Sequence, residues 1–369
     1  MAYLRHYFVT LFALLGAIAL FNGLIDPFSV FGSVFGAPLI AGLNNIKSPG
    51  PDRFFKPLQM SARRPRTVFI GSSRVMMGLD PMDSPGKTYN LGIPAATVPE
   101  TIALVRHALA DAPVERLIIG VEYDSFDGRI DYYPSFRLAI LGKYALWRGL
   151  PDMLISDLAV TRSRDTLLFS HRHAAPPYLA NGLRLIPDKP IEGTPDNRML
   201  QDVRDYTRVD AAMTGVDKSL DRFGAFIASI PSRVAVTVFV TPGHAALLEV
   251  LEQEGLRPAY EAWLKRTVEI CAARGIPLWD FGGYNWITTF PMERASELYY
   301  DGSHFRPAVG ALVLKVIRTG DTIADFGVQL TPAALPGYLA EQRRARERWY
   351  DQEPGDVRAI DAEIDETRR

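Results

Sequence analysis

Residues 67–75 read Thr-Val-Phe-Ile-Gly-Ser-Ser-Arg-Val, an apolar run that stops at a glycine and continues into two hydroxyl side chains. The β-branched and aromatic residues of this run are typical of a strand buried on both faces of a parallel sheet. In such sheets, ligands bind at the carboxyl ends of the strands. Ser73 can therefore present its hydroxyl to a ligand. Alternatively, the two serines only cap the helix that follows.

Further strands are predicted along the chain, and they alternate with helices. Short apolar or β-branched runs that end in polar or glycine-containing turns occupy residues 88–93, 115–122, 233–240 and 276–281. Helical patterns occupy residues 101–110, 258–274 and 307–318. This alternation predicts an α/β fold with a doubly wound, parallel, five-stranded sheet. Residues 126–223 carry many aromatics but no strand pattern, which predicts a helical or irregular insertion that covers the site.

The first 25 residues predict a transmembrane helix. The run from Tyr7 to Leu24 has no charged residue, and its length is near the lower limit for a helix that spans the hydrocarbon core. Arg5 precedes the run and the next basic residue is Lys47, so we expect a single-pass inner-membrane protein with a cytoplasmic N-terminus and a periplasmic or otherwise extracytoplasmic domain. A cleaved signal peptide is the alternative, because Ala17 and Ala19 are small residues at suitable spacing.

The remaining chain is expected to divide into an extracytoplasmic connector at residues 26–66, a sheet domain at 67–320 with its insertion at about 126–223, and a charged, solvated tail at 321–369.

Charged residues make up 22% of the chain and the formal net charge is -1, which argues against a nucleic-acid partner. The single cysteine, Cys271, cannot form an intrachain disulfide and is predicted to be a buried apolar group.

A second polar cluster, Asp301-Gly302-Ser303-His304, lies just before the last predicted helix of the sheet domain. An acid three residues before a histidine can fold back so that its carboxylate meets the Nδ1–H of the ring. The Nε2 atom is then free to face a nucleophile, as in a catalytic triad. A simpler interpretation is a helix start, in which Ser303 caps the helix and Asp301 is favoured by the helix dipole. The pairing with Ser73 favours the triad.

This combination of motifs resembles the SGNH/GDSL hydrolase superfamily, with Gly71-Ser72-Ser73 in the place of the nucleophile block and Asn90-Leu91-Gly92 in the place of the glycine block. The resemblance implies an SGNH-like sheet domain in which Ser73 is the nucleophile, His304 the base and Asp301 the acid that orients it. It also implies that the N–H groups of Ser73 and Gly92 donate hydrogen bonds to the oxyanion.

The chain departs from the family pattern at two positions. Ser72 replaces the aspartate of the first block, as in membrane-anchored branches that are involved in exopolysaccharide O-acetylation and teichoic-acid D-alanylation. Where the family has Gly-x-Asn-Asp, this chain has Val121-Glu122-Tyr123-Asp124, and an ionised Glu122 cannot replace the asparagine as a donor. The resemblance implies a serine esterase or O-acyltransferase that acts on an acylated carbohydrate or cell-envelope polymer, with or without a membrane protein that donates the acyl group.

Other candidate residues remain open to two interpretations. Arg74 can bind a carboxylate or sulfate group of the substrate or pair with a surface acid, and His244 can line the pocket or begin a helix. His171 and His173 have the spacing of a metal-binding pair but lack a third ligand nearby, and no Gly-x-Gly-x-x-Gly follows a strand, so we expect no metal and no cofactor. The alternative function is a non-catalytic glycan-binding or scaffold protein of an exopolysaccharide assembly system, which the missing asparagine favours.

Overall fold

The computed structural model describes residues 1–35, 39–43, 51–186, 195–210 and 212–369. Its strands are β1 (Thr67–Ile70), β2 (Thr88–Asn90), β3 (Arg116–Val121), β4 (Ala235–Val240), β5 (Leu278–Asp280) and β6 (Val328–Leu330). Its helices are α1 (Ala2–Ile25), α2 (Phe31–Phe35), α3 (Asp52–Arg63), α4 (Ser73–Gly78), α5 (Val98–Asp111), α6 (Ala145–Leu154), α7 (Asp157–His171), α8 (Pro195–Asp210), α9 (Val216–Ser229), α10 (Ala245–Gln253), α11 (Arg257–Ala272), α12 (Pro307–Thr319), α13 (Leu335–Gln352) and α14 (Pro354–Thr367).

The strands form one sheet with the order β2-β1-β3-β4-β5-β6. The first five are parallel, and Thr67 pairs with Thr88 on one side and Arg116 on the other. All four residues of β1 are buried, as expected for a central strand with both faces covered. The chain leaves β1 for β2 on one side and returns to β3 on the other, so the carboxyl ends of β1 and β3 flank a crevice.

The prediction of an α/β fold with a parallel sheet is confirmed at that level, but the number of strands was wrong. A sixth strand, β6, runs antiparallel to β5 at the edge of the sheet. It lies within the segment that was predicted to be a solvated tail. Its three residues are too few to show an alternating pattern, so only the pairing with β5 reveals the strand.

The C-terminal helices also differ from the prediction of a frayed, solvated end. Helix α14 packs against α8 and α10, and it buries Val357, Ile360 and Ile364. Trp349 of α13 is buried as well, at 2% exposure. These apolar side chains recur every three to four residues and form a narrow stripe among many charged residues. Residues 321–369 therefore complete the sheet-containing part of the chain.

The described chain divides into two compact units. Residues 1–65, 103–114 and 134–187 form the first, and residues 66–102, 115–133 and 188–369 form the second, which contains the sheet. The predicted insertion at 126–223 is therefore not a single body, because α6 and α7 belong to the first unit while α8 and α9 belong to the second. The described residues of this segment contribute no strand to the sheet.

Within the first unit, α1 packs against α6 and α7 near its C-terminal end. Asn22 of α1 is fully buried; its Nδ2 donates to Leu154 O at 2.8 Å, and its Oδ1 accepts from Ser163 Oγ at 2.8 Å. Most of the remaining helix surface is exposed. At 24 residues α1 is long and apolar enough to cross a membrane. In the predicted connector, α3 is almost entirely buried and packs against α6.

Candidate active site

Ser73, His304 and Asp301 form a hydrogen-bonded row at the carboxyl edge of the sheet. Ser73 Oγ lies 2.7 Å from His304 Nε2, and His304 Nδ1 lies 2.8 Å from each carboxylate oxygen of Asp301. A ring nitrogen that faces a carboxylate carries the proton, so the neutral ring accepts the Ser73 hydroxyl at Nε2. All three side chains are partly exposed. The row can therefore take a proton from a serine nucleophile that a ligand can reach.

Ser73 is held by the tight turn between β1 and α4. A Cβ atom on Gly71 would lie only 2.5 Å from the Val75 side chain, so this position requires a glycine. Ser72 then caps α4, since its Oγ accepts the Arg74 N–H at 3.2 Å. Ser73 is the first residue of that helix, and no acceptor for its N–H is found in the part of the chain that the structure describes. This N–H can therefore donate to a bound oxyanion.

The loop that carries His304 is held together by hydrogen bonds to Asp301, an acid of the same loop. Asp301 Oδ1 accepts the backbone N–H groups of Ser303 and His304 at 2.9 and 2.8 Å. Burial opposes ionisation of Asp301, but the hydrogen bonds and charge attraction from His304 outweigh it, so the pKa of Asp301 is held below its usual value. The carboxylate therefore remains ionised at neutral pH and can stabilise an imidazolium.

Two glycines bring Ser73 and His304 together. Gly310 of α12 lies so close to α4 that an added Cβ would be 1.8 Å from the carbonyl oxygen of Gly78. A Cβ on Gly78 would lie 2.0 Å from the ring of Phe305, the neighbour of His304. Because Ser73 starts α4 and His304 precedes α12, this close approach determines the distance between the two reactive side chains.

A cavity of about 360 Å³ opens beside Ser73. Polar side chains on its wall include Thr97, Glu122, Ser125 and Tyr206, together with Ser73 itself, although most of the exposed wall surface is apolar. The volume falls in the range of small-molecule sites. Hydroxyl and carboxyl groups on the wall can hydrogen-bond a hydroxyl-rich ligand such as a sugar.

The glycine block does not have the geometry that the sequence predicts for an oxyanion donor. The Gly92 N–H donates to Asn90 Oδ1 at 2.9 Å and is therefore occupied. Asn90 is fully buried, and its Nδ2 donates to the carbonyl oxygens of Val75 and Leu79 at 2.7 and 2.8 Å. Both residues thus hold the end of β2 against α4, because a buried amide must satisfy its hydrogen bonds with the nearest backbone groups.

Arg74 also differs from its predicted role as a substrate ligand. Its side chain is buried, and it donates to Tyr206 Oη at 2.9 Å and to Thr241 Oγ1 at 3.3 Å. Asp124 lies 3.8 Å away from the guanidinium. The second interpretation of Arg74, pairing with a surface acid, describes this arrangement better. The acid, Asp124, however belongs to a buried network.

Glu122 occupies the place of the family's asparagine and lies in the same network. Thr241 Oγ1 is 3.3 Å from Glu122 Oε2, and Ser72 also hydrogen-bonds the carboxyl group. Burial raises the pKa of Glu122 to about 7, against the opposing effect of Arg74. The neutral form is therefore accessible near neutral pH, and a neutral carboxyl group can donate a hydrogen bond, which the ionised form cannot.

His244 is fully buried, and neither of its ring nitrogens is available to a ligand. Its Nδ1 accepts the Ala246 N–H at 3.2 Å as the cap of α10, so the proton of the neutral ring is on Nε2, which donates to Phe290 O at 2.9 Å. The His244 N–H donates to Gly302 O at 2.8 Å and so supports the loop of Asp301. The helix-start interpretation of His244 holds, and the pocket-lining interpretation does not.

Because burial lowers the pKa of His244 to about 4, His244 should make the fold sensitive to acid. The unfolded chain binds a proton near pH 6.5, whereas the folded chain does not, so stability falls as the pH drops from about 6.5 towards 4. We expect a loss on the order of 2 kcal/mol from this residue. In thermal unfolding, the variant His244→Asn should be less stable at neutral pH but should lose less stability over this range. Equal pH slopes in the two proteins would contradict this assignment.

Asp202 of α8 contacts the candidate site, and the sequence analysis did not identify it. Its Oδ2 accepts the Ser303 N–H at 3.0 Å, and the same N–H donates to Asp301 Oδ1 at 2.9 Å, so the two carboxyl groups are adjacent. Polar residues recur every four positions along α8, at Arg198, Asp202 and Tyr206, and this spacing is the only sequence signal of a shared helix face.

His171 and His173 are exposed, and the described residues contain no cluster of three or more potential metal ligands.

No protein-family model matches the chain, and no curated protein is significantly similar to it. The geometry of the site and the order of its elements are therefore the basis for any statement about its chemistry.

Proposed function

We propose that the protein is a membrane-anchored, extracytoplasmic serine esterase or O-acyltransferase of the SGNH type that acts on an acylated carbohydrate or cell-envelope polymer. The alignment of Ser73 Oγ, His304 and Asp301 carries this proposal. The order of elements supports it, since the nucleophile follows β1, the glycine block follows β2 and the acid and base precede α12. Five parallel strands in the order β2-β1-β3-β4-β5 agree with such a sheet.

In the proposed reaction, His304 Nε2 takes the proton of Ser73 as Oγ attacks the ester carbonyl carbon. The carbonyl oxygen becomes an oxyanion, which the Ser73 N–H stabilises. Collapse of the tetrahedral intermediate breaks the ester bond, and the imidazolium returns its proton to the leaving alcohol. A water or sugar hydroxyl then attacks the acyl-serine by the same route in reverse. Ionised Asp301 stabilises the imidazolium throughout.

The hydroxyl and carboxyl groups on the cavity wall support a carbohydrate substrate, because they can hydrogen-bond the hydroxyl groups of a sugar. The anchored, extracytoplasmic location rests on α1 and on Arg5 before it. The buried contacts of Asn22 with Leu154 and Ser163 hold the C-terminal end of α1 against α6 and α7. A membrane protein that donates the acyl group is a partner consistent with this location.

One observation favours the alternative, a non-catalytic glycan-binding or scaffold protein. The Gly92 N–H is occupied by Asn90, so one expected oxyanion donor is missing, and Glu122, in the place of the family's asparagine, can donate only in its neutral form. One missing donor lowers kcat by about 10²–10³-fold in known enzymes. A slow enzyme or a binding protein would both fit this feature.

Labelling with a fluorophosphonate probe distinguishes the two functions. We expect the full-length protein in mild detergent to be labelled at Ser73, because the probe reacts only with a serine that has an active base. The variants Ser73→Ala and His304→Ala should not be labelled. Mass spectrometry of the labelled peptide identifies the site. Absence of labelling in the unmodified protein would reject the enzyme and support the binding protein.

A further inference from the structure

Helix α8 contacts both halves of the candidate site through one face. Arg198 Nη1 donates to Tyr300 O at 2.7 Å, Asp202 accepts the Ser303 N–H, and the Tyr206 hydroxyl accepts a hydrogen bond from Arg74. These three residues of α8 are four apart, which places them on one side of the helix. Two of them contact the loop of His304 and the third contacts the helix that Ser73 begins.

Asp202 Oδ2 and Asp301 Oδ1 accept the same Ser303 N–H, at 3.0 and 2.9 Å, so the two carboxyl groups lie side by side. A hydrogen bond between two carboxyl groups requires a proton on one of them, and two adjacent carboxylates repel each other strongly. Of the two carboxyl groups, Asp301 is more stable in its ionised form, because it accepts hydrogen bonds from the N–H groups of Ser303 and His304 and from Nδ1 of the His304 ring. The proton therefore belongs on Asp202.

Other observations agree with this placement. Asp202 is partly buried, and burial together with the charge of Asp301 raises the pKa of Asp202 to about 7. Arg74 of α4 acts in the opposite direction but has a smaller effect. His304 on the loop and Tyr206 on α8 itself also face the two carboxyl groups. Helix α8 meets α14 through the ion pair of Arg204 with Glu363.

We propose that Asp202 is a positioning residue of the active site: its neutral carboxyl group donates a hydrogen bond to Asp301 and accepts one from the Ser303 N–H, and it thereby holds the acid in the orientation that receives the His304 ring. This inference rests on the proposed function. It gives α8, part of the segment predicted to be a cover, a direct role in the alignment of the triad.

The proposal has a consequence for alkaline pH. When Asp202 loses its proton, the donor to Asp301 disappears and two negative charges lie side by side. The row of hydrogen bonds should then loosen, and the reactivity of Ser73 should decline above the pKa of Asp202. The variant Asp202→Asn keeps a neutral donor and an acceptor in the same positions but cannot ionise. The variant Asp202→Ala has neither group.

The first test is the rate of fluorophosphonate labelling of Ser73 in the full-length protein, from about pH 5 to about pH 9. We expect Asp202→Asn to stay within about 3-fold of the unmodified protein at low pH and to lack the alkaline decline. We expect Asp202→Ala to be at least about 10-fold slower at every pH. Asp221→Asn, which removes an exposed acid of α9, is the control and should match the unmodified protein. Unmodified rates and pH profiles in both Asp202 variants would overturn the proposal.

The second test does not depend on activity. The His304 Nδ1 proton, hydrogen-bonded to Asp301, should give a far-downfield NMR resonance that is absent from His304→Ala. This resonance should persist in Asp202→Asn and should move upfield or broaden in Asp202→Ala. An unchanged resonance in Asp202→Ala would overturn the positioning role. If the unmodified protein is not labelled, the proposed function fails, and the NMR result alone decides the role of Asp202.

Discussion

Ser73→Ala and His304→Ala should each remove nearly all turnover of an ester that the unmodified protein cleaves. We expect kcat to fall by roughly 10⁴–10⁶-fold in each case, because nucleophile and base act as one unit. The double variant should be little worse than either single variant for the same reason. Asp301→Asn should cost less, since the ring remains while its charge and tautomer lose their support. Steady-state kinetics on an acetyl-ester substrate measure kcat for all four variants.

Two exposed residues provide matched controls, Ser232→Ala and His171→Ala, and both should keep full activity. Circular dichroism should show that the site variants remain folded, since Ser73 and His304 lie at the loop edge of the sheet and are partly exposed. Full activity in His304→Ala would end the triad assignment. Fully additive losses in the double variant would show that the two residues do not act together.

Gly310→Ala should destabilise the protein by about 3 kcal/mol or more, a cost at the upper end for overpacking. The added methyl group would lie 1.8 Å from a backbone oxygen of Gly78, which cannot move aside as a flexible side chain could. The helices α4 and α12 would have to separate, and this would also lengthen the distance from Ser73 to His304. Thermal unfolding and fluorophosphonate labelling measure the two effects.

Gly337→Ala is the control for this substitution. Gly337 lies in α13 with no atom near the position of an added Cβ, so the change should stabilise the protein by about 0.5–1 kcal/mol. If Gly310→Ala were as stable and as reactive as Gly337→Ala, the close approach of α4 and α12 would not hold the site together.

Local features of the chain were readable from the sequence because their causes lie within a few residues. The run from Thr67 to Ile70 is apolar and β-branched, and it forms the strand β1 with the predicted bounds. The loop of Asp301 could also be predicted, since its carboxylate accepts the N–H of Ser303 two residues on and that of His304 three residues on. Helix α12 begins at Pro307, where the missing N–H of proline is tolerated.

A single glycine within a predicted helix gave ambiguous information about packing. A glycine inside a helix lowers its stability, so Gly310 within Pro307–Thr319 indicates a packing reason. The sequence does not show which backbone it approaches. The structure identifies Gly78, more than two hundred positions earlier in the chain, and therefore explains how a serine and a histidine 231 residues apart come within 2.7 Å.

The residues that sequence reasoning misjudged or missed all depend on distant partners. Arg74 and His244 were candidates for ligand contact because of their positions after strands, but Tyr206 and Phe290 occupy their polar atoms. Asp202 gave only the polar spacing along α8 as a signal, and this spacing does not reveal its partner Ser303, which is 101 residues away. The sequence by itself indicated five of the six strands, the two polar turns and the three residue types, Ser73, Asp301 and His304, that suit a triad. Tertiary structure alone decided which polar groups remain free for a ligand, because a buried donor or acceptor bonds to whatever the folded chain places beside it.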